Sequence, residues 1–382
     1  MEVKNDGSSD SELRWKKLVH RLGLHAENAA DFVRDRFRQR MSANQPMKII
    51  AFHGMGNDTS CRLQGRVLEY QDTPPDEVES IWRNLQDSYR RFETDEVPGA
   101  VVCADVGGQL NYATTDDEGY FLLEFPAPTG ENTNPLPVSL SLPDYPEQHG
   151  HATGLVFFAS AQARYGVISD IDDTVLVTQA TSIIKMMRLT LLGSSSSRTP
   201  FKGVSAFYQA LSVLGNPIFY VSSSPWNLFE FLDDFMRINN IAPGPLMLRD
   251  FGIDKTKLVA GPHKTHKLAK IRSVLEFYPD LPFILIGDSG QHDPEIYAQV
   301  VSEFPGRILA IYIRDVGHTV RDREVQALAR QLRNESVDLL LVPDTLAAVT
   351  HAASRGFVEH EAVAAVAESV HKEKQTDNKQ VV

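Results

Sequence analysis

Hydrophobic and polar positions first follow a period of two along the chain, between about residues 47 and 160. Such alternation predicts strands with one buried face, and several short strands separated by turn sequences predict an antiparallel β-sandwich. The alternating runs are Leu63–Tyr70, Ala100–Val106, Leu110–Thr114, Tyr120–Phe125 and Val138–Leu142. One helix is predicted between Val78 and Phe92, where apolar residues recur at a period near 3.6. The segment Gly54-Met55-Gly56 is interpreted as a turn.

After Gln162 the pattern changes to continuous apolar runs that alternate with amphipathic segments. Continuous apolar runs are typical of strands buried on both faces, so we expect a doubly wound α/β domain with a parallel sheet. The runs are Gly166–Ile171, Ile218–Val221, Phe283–Ile286, Ile308–Ile313 and Val337–Val342. Helices are predicted near Gly203–Leu214, Trp226–Asn239, Lys267–Phe277, Asp293–Phe304 and Arg321–Leu332.

These patterns predict four parts in the chain. They are a helical or flexible N-terminal segment (1–46), a β-sandwich domain (47–160), an α/β domain (161–356) and a helical to disordered C-terminal tail (357–382). From His371 onward the tail is polar, which predicts disorder.

Composition and charge exclude several classes of function. The chain has 38 basic and 50 acidic residues, and a net charge of −12 disfavours binding to nucleic acid. Two cysteines are too few for a disulfide framework or a cysteine metal cluster. Because the N-terminus has no apolar signal region and no run reaches the ~20 apolar residues of a spanning helix, we expect a cytoplasmic protein.

The chemistry is concentrated first in the sequence Asp170-Ile171-Asp172-Asp173-Thr174, directly after the apolar run GVIS. Carboxylates crowded at a strand end cannot all stay ionised cheaply without a cation. Aspartates are also common in surface turns, so for this motif alone both interpretations stay open.

Two later strands favour the chemical interpretation. Ile218–Val221 is followed by Ser222, and Phe283–Ile286 is followed by Gly287 and Asp288. Since the carboxyl ends of parallel strands meet at one edge, acids and a hydroxyl should converge there, with a lysine delivered by the intervening helix. These are the components of phosphoryl transfer through a carboxylate nucleophile.

Together these motifs resemble those of the haloacid-dehalogenase superfamily of aspartyl-phosphate phosphatases. Asp170–Thr174 resembles the DxDxT signature, Ser222 the second motif, and Gly287-Asp288…Asp293 the GDxxxxD motif. More narrowly, residues 165 to 316 resemble the catalytic domain of the actin-patch-associated phosphatidate phosphatases and their bacterial relatives. The phrases that carry this resemblance are DIDDTVL, RTPFKGVSAFYQAL, YVSSSPWNLFEFL, LRDFG, THKLAKI, FILIGDSGQHDPEIYA and IYIRDV.

The resemblance implies a nucleophile, an acid and a metal site. Asp170 would attack phosphorus and carry the aspartyl-phosphate, while Asp172 would act as general acid and then general base. Asp170, the backbone carbonyl of Asp172, and Asp288 would bind Mg²⁺, with Asp293 orienting the metal's water shell.

The resemblance also implies the phosphate-binding groups. Ser222 and Lys267 would hold the transferring oxygens, and Thr174 would brace the first loop. Lys264 is an alternative to Lys267, which is preferred for its spacing to Asp288.

Several residues near the motifs have a structural interpretation beside a catalytic or metal-binding one. For Asp173 a loop-capping role is as well supported as catalysis. His263, His266 and His292 could indicate zinc, but they are interpreted as loop or supporting residues. Ser223 and Ser224 are interpreted as turn residues, with Pro225 beginning the next helix.

The segment between the first two motifs bears on the substrate. Thr178–Leu192 is apolar, and periodicity alone favours its packing in the core. The resemblance implies instead that this segment is a cap over the active site, which with Lys185, Arg188 and Arg198 could receive a lipid chain and its phosphate. The resemblance implies that phosphatidic acid is hydrolysed to diacylglycerol and phosphate, with peripheral membrane contact. A phosphatase for a soluble ester or phosphoprotein, and a non-enzymatic binding module, are the alternatives.

Overall fold

The computed structural model describes two sheets, one rich in antiparallel pairs and one parallel. The described residues are 47–69, 96–130, 133–145, 150–171, 174–175, 201–249, 263–317 and 319–380. The predictions for residues 1–46, for the helix between Val78 and Phe92, and for the cap at Thr178–Leu192 lie outside these residues.

Eight strands form the first sheet and surround a core of their own. They are β1 (Met47–Ala51), β2 (Gly54–Gly56), β3 (Ser60–Glu69), β4 (Val101–Val106), β5 (Gln109–Thr114), β6 (Tyr120–Pro126), β7 (Leu136–Ser141) and β8 (His151–Phe158). Their order is β1-β3-β2-β8-β7-β4-β5, and β6 also pairs with β3. Each predicted alternating run overlaps one of these strands.

The prediction of a turn at Gly54-Met55-Gly56 is wrong. These residues are strand β2, which pairs antiparallel with β3 and parallel with β8. A Cβ at Gly56 would lie 2.4 Å from the ring of Phe158, so this glycine is needed for close packing. The parallel β2–β8 pair is the departure from an otherwise antiparallel sheet.

The second sheet has six parallel strands. They are β9 (Gly166–Ser169), β10 (Ile218–Pro225), β11 (Leu246–Arg249), β12 (Phe283–Asp288), β13 (Ile308–Arg314) and β14 (Asp338–Val342). The parallel α/β arrangement predicted from the apolar runs is therefore confirmed. Strand β11 has no counterpart among those runs, because buried and half-buried positions alternate over its four residues.

Seven α-helices accompany this sheet in the described part of the chain. They are α1 (Val204–Leu211), α2 (Phe229–Ile238), α3 (His263–Phe277), α4 (Asp293–Glu303), α5 (Thr319–Leu332), α6 (Thr345–Ser354) and α7 (Glu361–Gln380). Two core clusters fill the space between the sheet and the helices.

The polar segment from His371, predicted to be disordered, instead forms the second half of helix α7. Val366 is buried on this helix and Val370 packs against the same core. The Glu373 carboxylate accepts a hydrogen bond from the backbone N–H of Gly203 at 3.0 Å. The prediction failed because composition does not reveal these contacts with α1.

The strand order determines where a ligand can bind. The strand order is β11-β10-β9-β12-β13-β14. From β9 the chain continues to β10 and β11 on one side of the sheet, and from β12 it continues to β13 and β14 on the other side. Open α/β sheets bind ligands beyond the carboxyl ends of the two strands where the order reverses. Here that position lies beyond Ser169 and Asp288.

The two sheet regions contact each other through aromatic and polar side chains. Phe52 stacks on Trp226 with ring centroids 4.0 Å apart. The Asn57 side chain donates to the Phe277 carbonyl at 2.8 Å, and the Tyr278 hydroxyl donates to the Gly56 carbonyl at 2.9 Å. Among the described helices, none is both long enough and apolar enough to cross a bilayer.

Candidate active site

Asp170 lies directly after β9, at the reversal of strand order. Its backbone N–H donates to the Ile286 carbonyl at 2.9 Å, which continues the pairing of β9 with β12. The Thr174 hydroxyl donates to Oδ2 of Asp170 at 3.4 Å. Both side chains are buried, so the carboxylate is held in a fixed position beneath the first loop.

Asp288 and Asp293 approach the same point from the end of β12 and the start of α4. Oδ1 of Asp288 accepts hydrogen bonds from the N–H groups of Gly290 and Gln291, at 2.6 and 2.9 Å. Oδ2 of Asp293 accepts from the N–H of Asp288 at 3.3 Å. A Cβ at Gly287 would lie 2.4 Å from that oxygen, so a glycine is required for Asp293 to come this close.

Lys267 reaches this acidic cluster from helix α3. Its Nζ lies 2.7 Å from Oδ1 of Asp170 and also forms an ion pair with Oδ1 of Asp293. Burial alone would lower the pKa of Lys267, but the charges of Asp170 and Asp293 outweigh it and raise the pKa above its ordinary value. Lys267 therefore carries a positive charge among three carboxyl groups.

The three carboxyl groups could hold a metal ion. One oxygen each from Asp170, Asp288 and Asp293 lies within 4.8 Å of the others, and all three residues are buried. Oδ2 of Asp288 is buried without a hydrogen-bond partner in the described part of the structure. Burial, reinforced by the charge of Asp293, raises the pKa of Asp288 to about 7. A divalent cation fits these three carboxyl groups. It would coordinate Oδ2 of Asp288 and offset the negative charge that Lys267 does not neutralise.

Ser222 ends at the same edge of the sheet. Tyr220 pairs with Ser169 in the β9–β10 ladder, so the buried Ser222 lies two residues beyond the end of β9. Its hydroxyl accepts a hydrogen bond from the N–H of Ser224 at 3.0 Å. Ser223 and Ser224 are not turn residues as predicted, because β10 continues to Pro225, with an irregular register against β11.

The structure thus brings together Asp170, Thr174, Lys267, Asp288 and Asp293, with Ser222 at the same edge. Asp172, Asp173 and the side chain of Lys264 lie outside the described residues. His266 and His292 do not belong to the cluster of potential metal ligands.

One supporting residue had no signal in the sequence. The Tyr208 hydroxyl lies 2.6 Å from the Ser169 hydroxyl, which donates to the carbonyl of Asp170 at 2.7 Å. Burial raises the pKa of Tyr208, so it stays protonated. Tyr208 thus steadies the backbone at Asp170, although in sequence it is simply an apolar position of helix α1.

Comparison with known proteins finds a match to the segment that contains the site. Residues 165–315 match the family model described as the catalytic domain of phosphatidate phosphatase APP1. This segment, about two fifths of the chain, is therefore similar to that family. The resemblance found in the motifs is thereby confirmed, and the clustered Asp170, Lys267, Asp288 and Asp293 all lie inside the matched segment.

Two fungal proteins are similar to a larger part of the chain. Phosphatidate phosphatase APP1 of Saccharomyces cerevisiae is 30% identical over 249 residues, which cover 62% of this chain and 42% of the yeast protein. An uncharacterized protein of Schizosaccharomyces pombe is 30% identical over 246 residues, covering 62% of this chain and 39% of its own. The chain therefore matches less than half the length of each relative.

Among solved structures, a ferredoxin-NADP⁺ reductase from Plasmodium falciparum aligns at 7% identity and a TM-score of 0.18. The alignment covers 79% of this chain and 98% of the reductase. A TM-score this low supports no conclusion about fold or function.

Proposed function

We propose that the chain is a Mg²⁺-dependent phosphatidate phosphatase, with a haloacid-dehalogenase-like catalytic domain, that works through an aspartyl-phosphate. The observation that carries this proposal is the convergence of Asp170, Asp288, Asp293 and Lys267 in one buried cluster at the reversal of strand order. The similarity of residues 165–315 to the APP1 catalytic domain, and of the chain to the yeast phosphatidate phosphatase, supports the substrate.

The proposed reaction begins at Asp170. A carboxylate oxygen of Asp170 forms a bond to phosphorus while the bond from phosphorus to the glyceryl oxygen breaks. The leaving oxygen takes a proton from Asp172, the role implied by its place two residues after the nucleophile. Water then attacks phosphorus, Asp172 takes its proton, and the bond between Asp170 and phosphorus breaks to release phosphate.

Lys267 and Ser222 are proposed to hold the transferring phosphoryl oxygens, because a buried ammonium and a buried hydroxyl converge on the same edge. Thr174 is proposed to fix the Asp170 carboxylate through their hydrogen bond. Asp170 and Asp288 would hold Mg²⁺, together with the backbone carbonyl of Asp172, and Asp293 would order its water ligands. When bound, Mg²⁺ would offset the negative charge that develops on the phosphoryl group.

The lipid substrate implies transient contact with a membrane surface, and we propose a cytoplasmic protein that associates peripherally. A phosphatase acting on a soluble ester would use the same cluster. The cluster alone therefore supports the reaction, and the family supports the lipid.

A substrate-panel assay separates these outcomes. Phosphate release should be measured from phosphatidate in mixed micelles, p-nitrophenyl phosphate and sugar phosphates, with Mg²⁺ and with chelator. We expect Mg²⁺-dependent release with the highest kcat/KM for phosphatidate. Activity confined to the soluble esters would overturn the lipid assignment, and no activity on any ester would overturn the reaction.

A further inference from the structure

A cavity of about 540 Å³ lies where the two sheet regions meet, and residues of both regions line it. The first region contributes Phe52, Tyr112, Thr114 and Leu122, among others. The α/β region contributes Trp226, His266 and Lys270. A volume of this size is typical of small-molecule sites.

The cavity and the acidic cluster share two structural elements. His266, which lines the cavity, directly precedes Lys267, which is paired with Asp170. Trp226, another wall of the cavity, comes four residues after Ser222 at the end of β10. The cavity therefore borders the two elements that carry Lys267 and Ser222.

Aromatic and aliphatic residues make up about half of the cavity wall, and the polar or charged residues are Gln64, Thr114, Asp116, His266 and Lys270. Phe52 and Trp226 stack on each other, and the Lys270 ammonium lies 5.7 Å from the centre of the Trp226 ring. Tyr112 and Leu122, which line the cavity, remain 60% and 47% exposed. Leu110, 52% exposed, shares the face of β5 that carries Tyr112.

We propose that this cavity binds the acyl portion of the phospholipid substrate while the phosphate occupies the acidic cluster. The inference rests on the proposed function and adds a place for the hydrocarbon. A hydrocarbon chain would remove the exposed apolar surface of Tyr112 and Leu122 from water, whereas a sugar phosphate would leave it exposed.

Matched substitutions of exposed apolar residues test the proposal. Leu122→Glu places a charge in the cavity wall. The control, Ile238→Glu, places a charge on helix α2 at a position that is 53% exposed and does not line the cavity. The readout is the ratio of kcat/KM for phosphatidate to kcat/KM for p-nitrophenyl phosphate. We expect Leu122→Glu to lower this ratio by about tenfold or more, as the loss of about two buried methylene groups would. Ile238→Glu should leave it at the wild-type value.

A second variant and a direct measurement locate the chain. Thr114→Trp should fill part of the cavity from an exposed position and lower the same ratio. The chain has three tryptophans, and in the double variant Trp15→Phe/Trp82→Phe only Trp226 remains. Phosphatidate with brominated acyl chains should quench its fluorescence, and unbrominated phosphatidate should not.

The outcomes distinguish this proposal from the proposed function. If the wild type does not hydrolyse phosphatidate, the proposed function fails and the cavity assignment falls with it. If the wild type hydrolyses phosphatidate but both cavity variants keep the wild-type ratio and the brominated chains do not quench Trp226, only the cavity assignment is wrong.

Discussion

The ammonium nitrogen of Lys267 lies 2.7 Å from Oδ1 of Asp170, and the side chains of both residues are almost entirely buried. The same lysine pairs with Asp293, so one positive charge lies among three carboxyl groups. Buried charges are stable only when they are paired or coordinate a metal. This contact links the proposed nucleophile, the phosphate-binding cation and the proposed metal site in one electrostatic unit.

Replacing the proposed nucleophile should abolish turnover without unfolding the protein. Asp170→Asn keeps the shape of the side chain and leaves Lys267 paired with Asp293. Removing a nucleophile costs several orders of magnitude, so phosphate release should fall by roughly a thousandfold or more. Thermal unfolding checks that the fold is retained. A folded Asp170→Asn protein with wild-type turnover would refute the assignment.

Replacing the buried lysine should cost stability. Lys267→Met leaves three buried carboxyl groups without their ammonium, and breaking a buried pair typically costs about 3–5 kcal/mol. Because carboxylates lose their negative charge when they are protonated, the loss of unfolding free energy should be larger at pH 8 than at pH 5. Urea denaturation at both pH values measures this free energy.

Lys372→Met is the matched control for this change. Lys372 pairs with Glu368 on the surface of α7, where both side chains are more than 60% exposed. Exposed pairs contribute little, so the control should unfold like the wild type at both pH values. Equal stability of the Lys267→Met protein and the control would contradict the proposed role of the buried ion pair.

Gly287→Ala should displace one proposed metal-binding group. The new Cβ would lie 2.4 Å from Oδ2 of Asp293, so that carboxylate must move. We expect weaker Mg²⁺ binding by calorimetry and lower activity that excess Mg²⁺ partly restores. Gly306→Ala is the control, because it strains a positive-φ turn at +76° with open space around the Cβ. It should lower stability but leave Mg²⁺ affinity unchanged; an equal loss of affinity in both variants would exclude the steric explanation.

Stabilisation by Mg²⁺ should increase with pH. The pKa of Asp288 is raised from 3.8 to about 7 in the fold, so its ionisation destabilises the metal-free protein as the pH rises through this range. Mg²⁺ requires the ionised carboxylate and must displace a proton below pH 7. The increase in Tm caused by Mg²⁺ should therefore be larger at pH 8 than at pH 6. An increase that is the same at both values would show that Asp288 is not a ligand.

The sequence predicted which acidic residues would lie close together, but not all of the contacts around them. Asp170 and Asp288 follow continuous apolar runs, and such runs predict adjacent parallel strands whose ends meet. The resemblance to the phosphatase family favoured Lys267 over Lys264, and Lys267 lies 2.7 Å from Oδ1 of Asp170. Tyr208 could not be predicted, because its contact with Ser169 depends on how helix α1 packs against the sheet.

Errors of prediction arose where contacts from distant parts of the chain decide the local structure. Two glycines suggested a turn at Gly54–Gly56, but neighbouring strands require small residues there. Helix α7 continues into its polar end, where Glu373 accepts a hydrogen bond from the N–H of Gly203 just after Val366 and Val370 pack against the core. The cavity beside Trp226 is formed by both regions, so neither pattern alone could indicate it.

The most direct test of the central claim is to trap the phosphorylated enzyme. Wild-type protein turning over phosphatidate with Mg²⁺ should be quenched with borohydride, which reduces an aspartyl-phosphate to homoserine, and its peptides analysed by mass spectrometry. Homoserine is expected at position 170 only when substrate and Mg²⁺ are both present. Modification at Asp288 or Asp293 instead, or an unmodified Asp170 during active turnover, would contradict it.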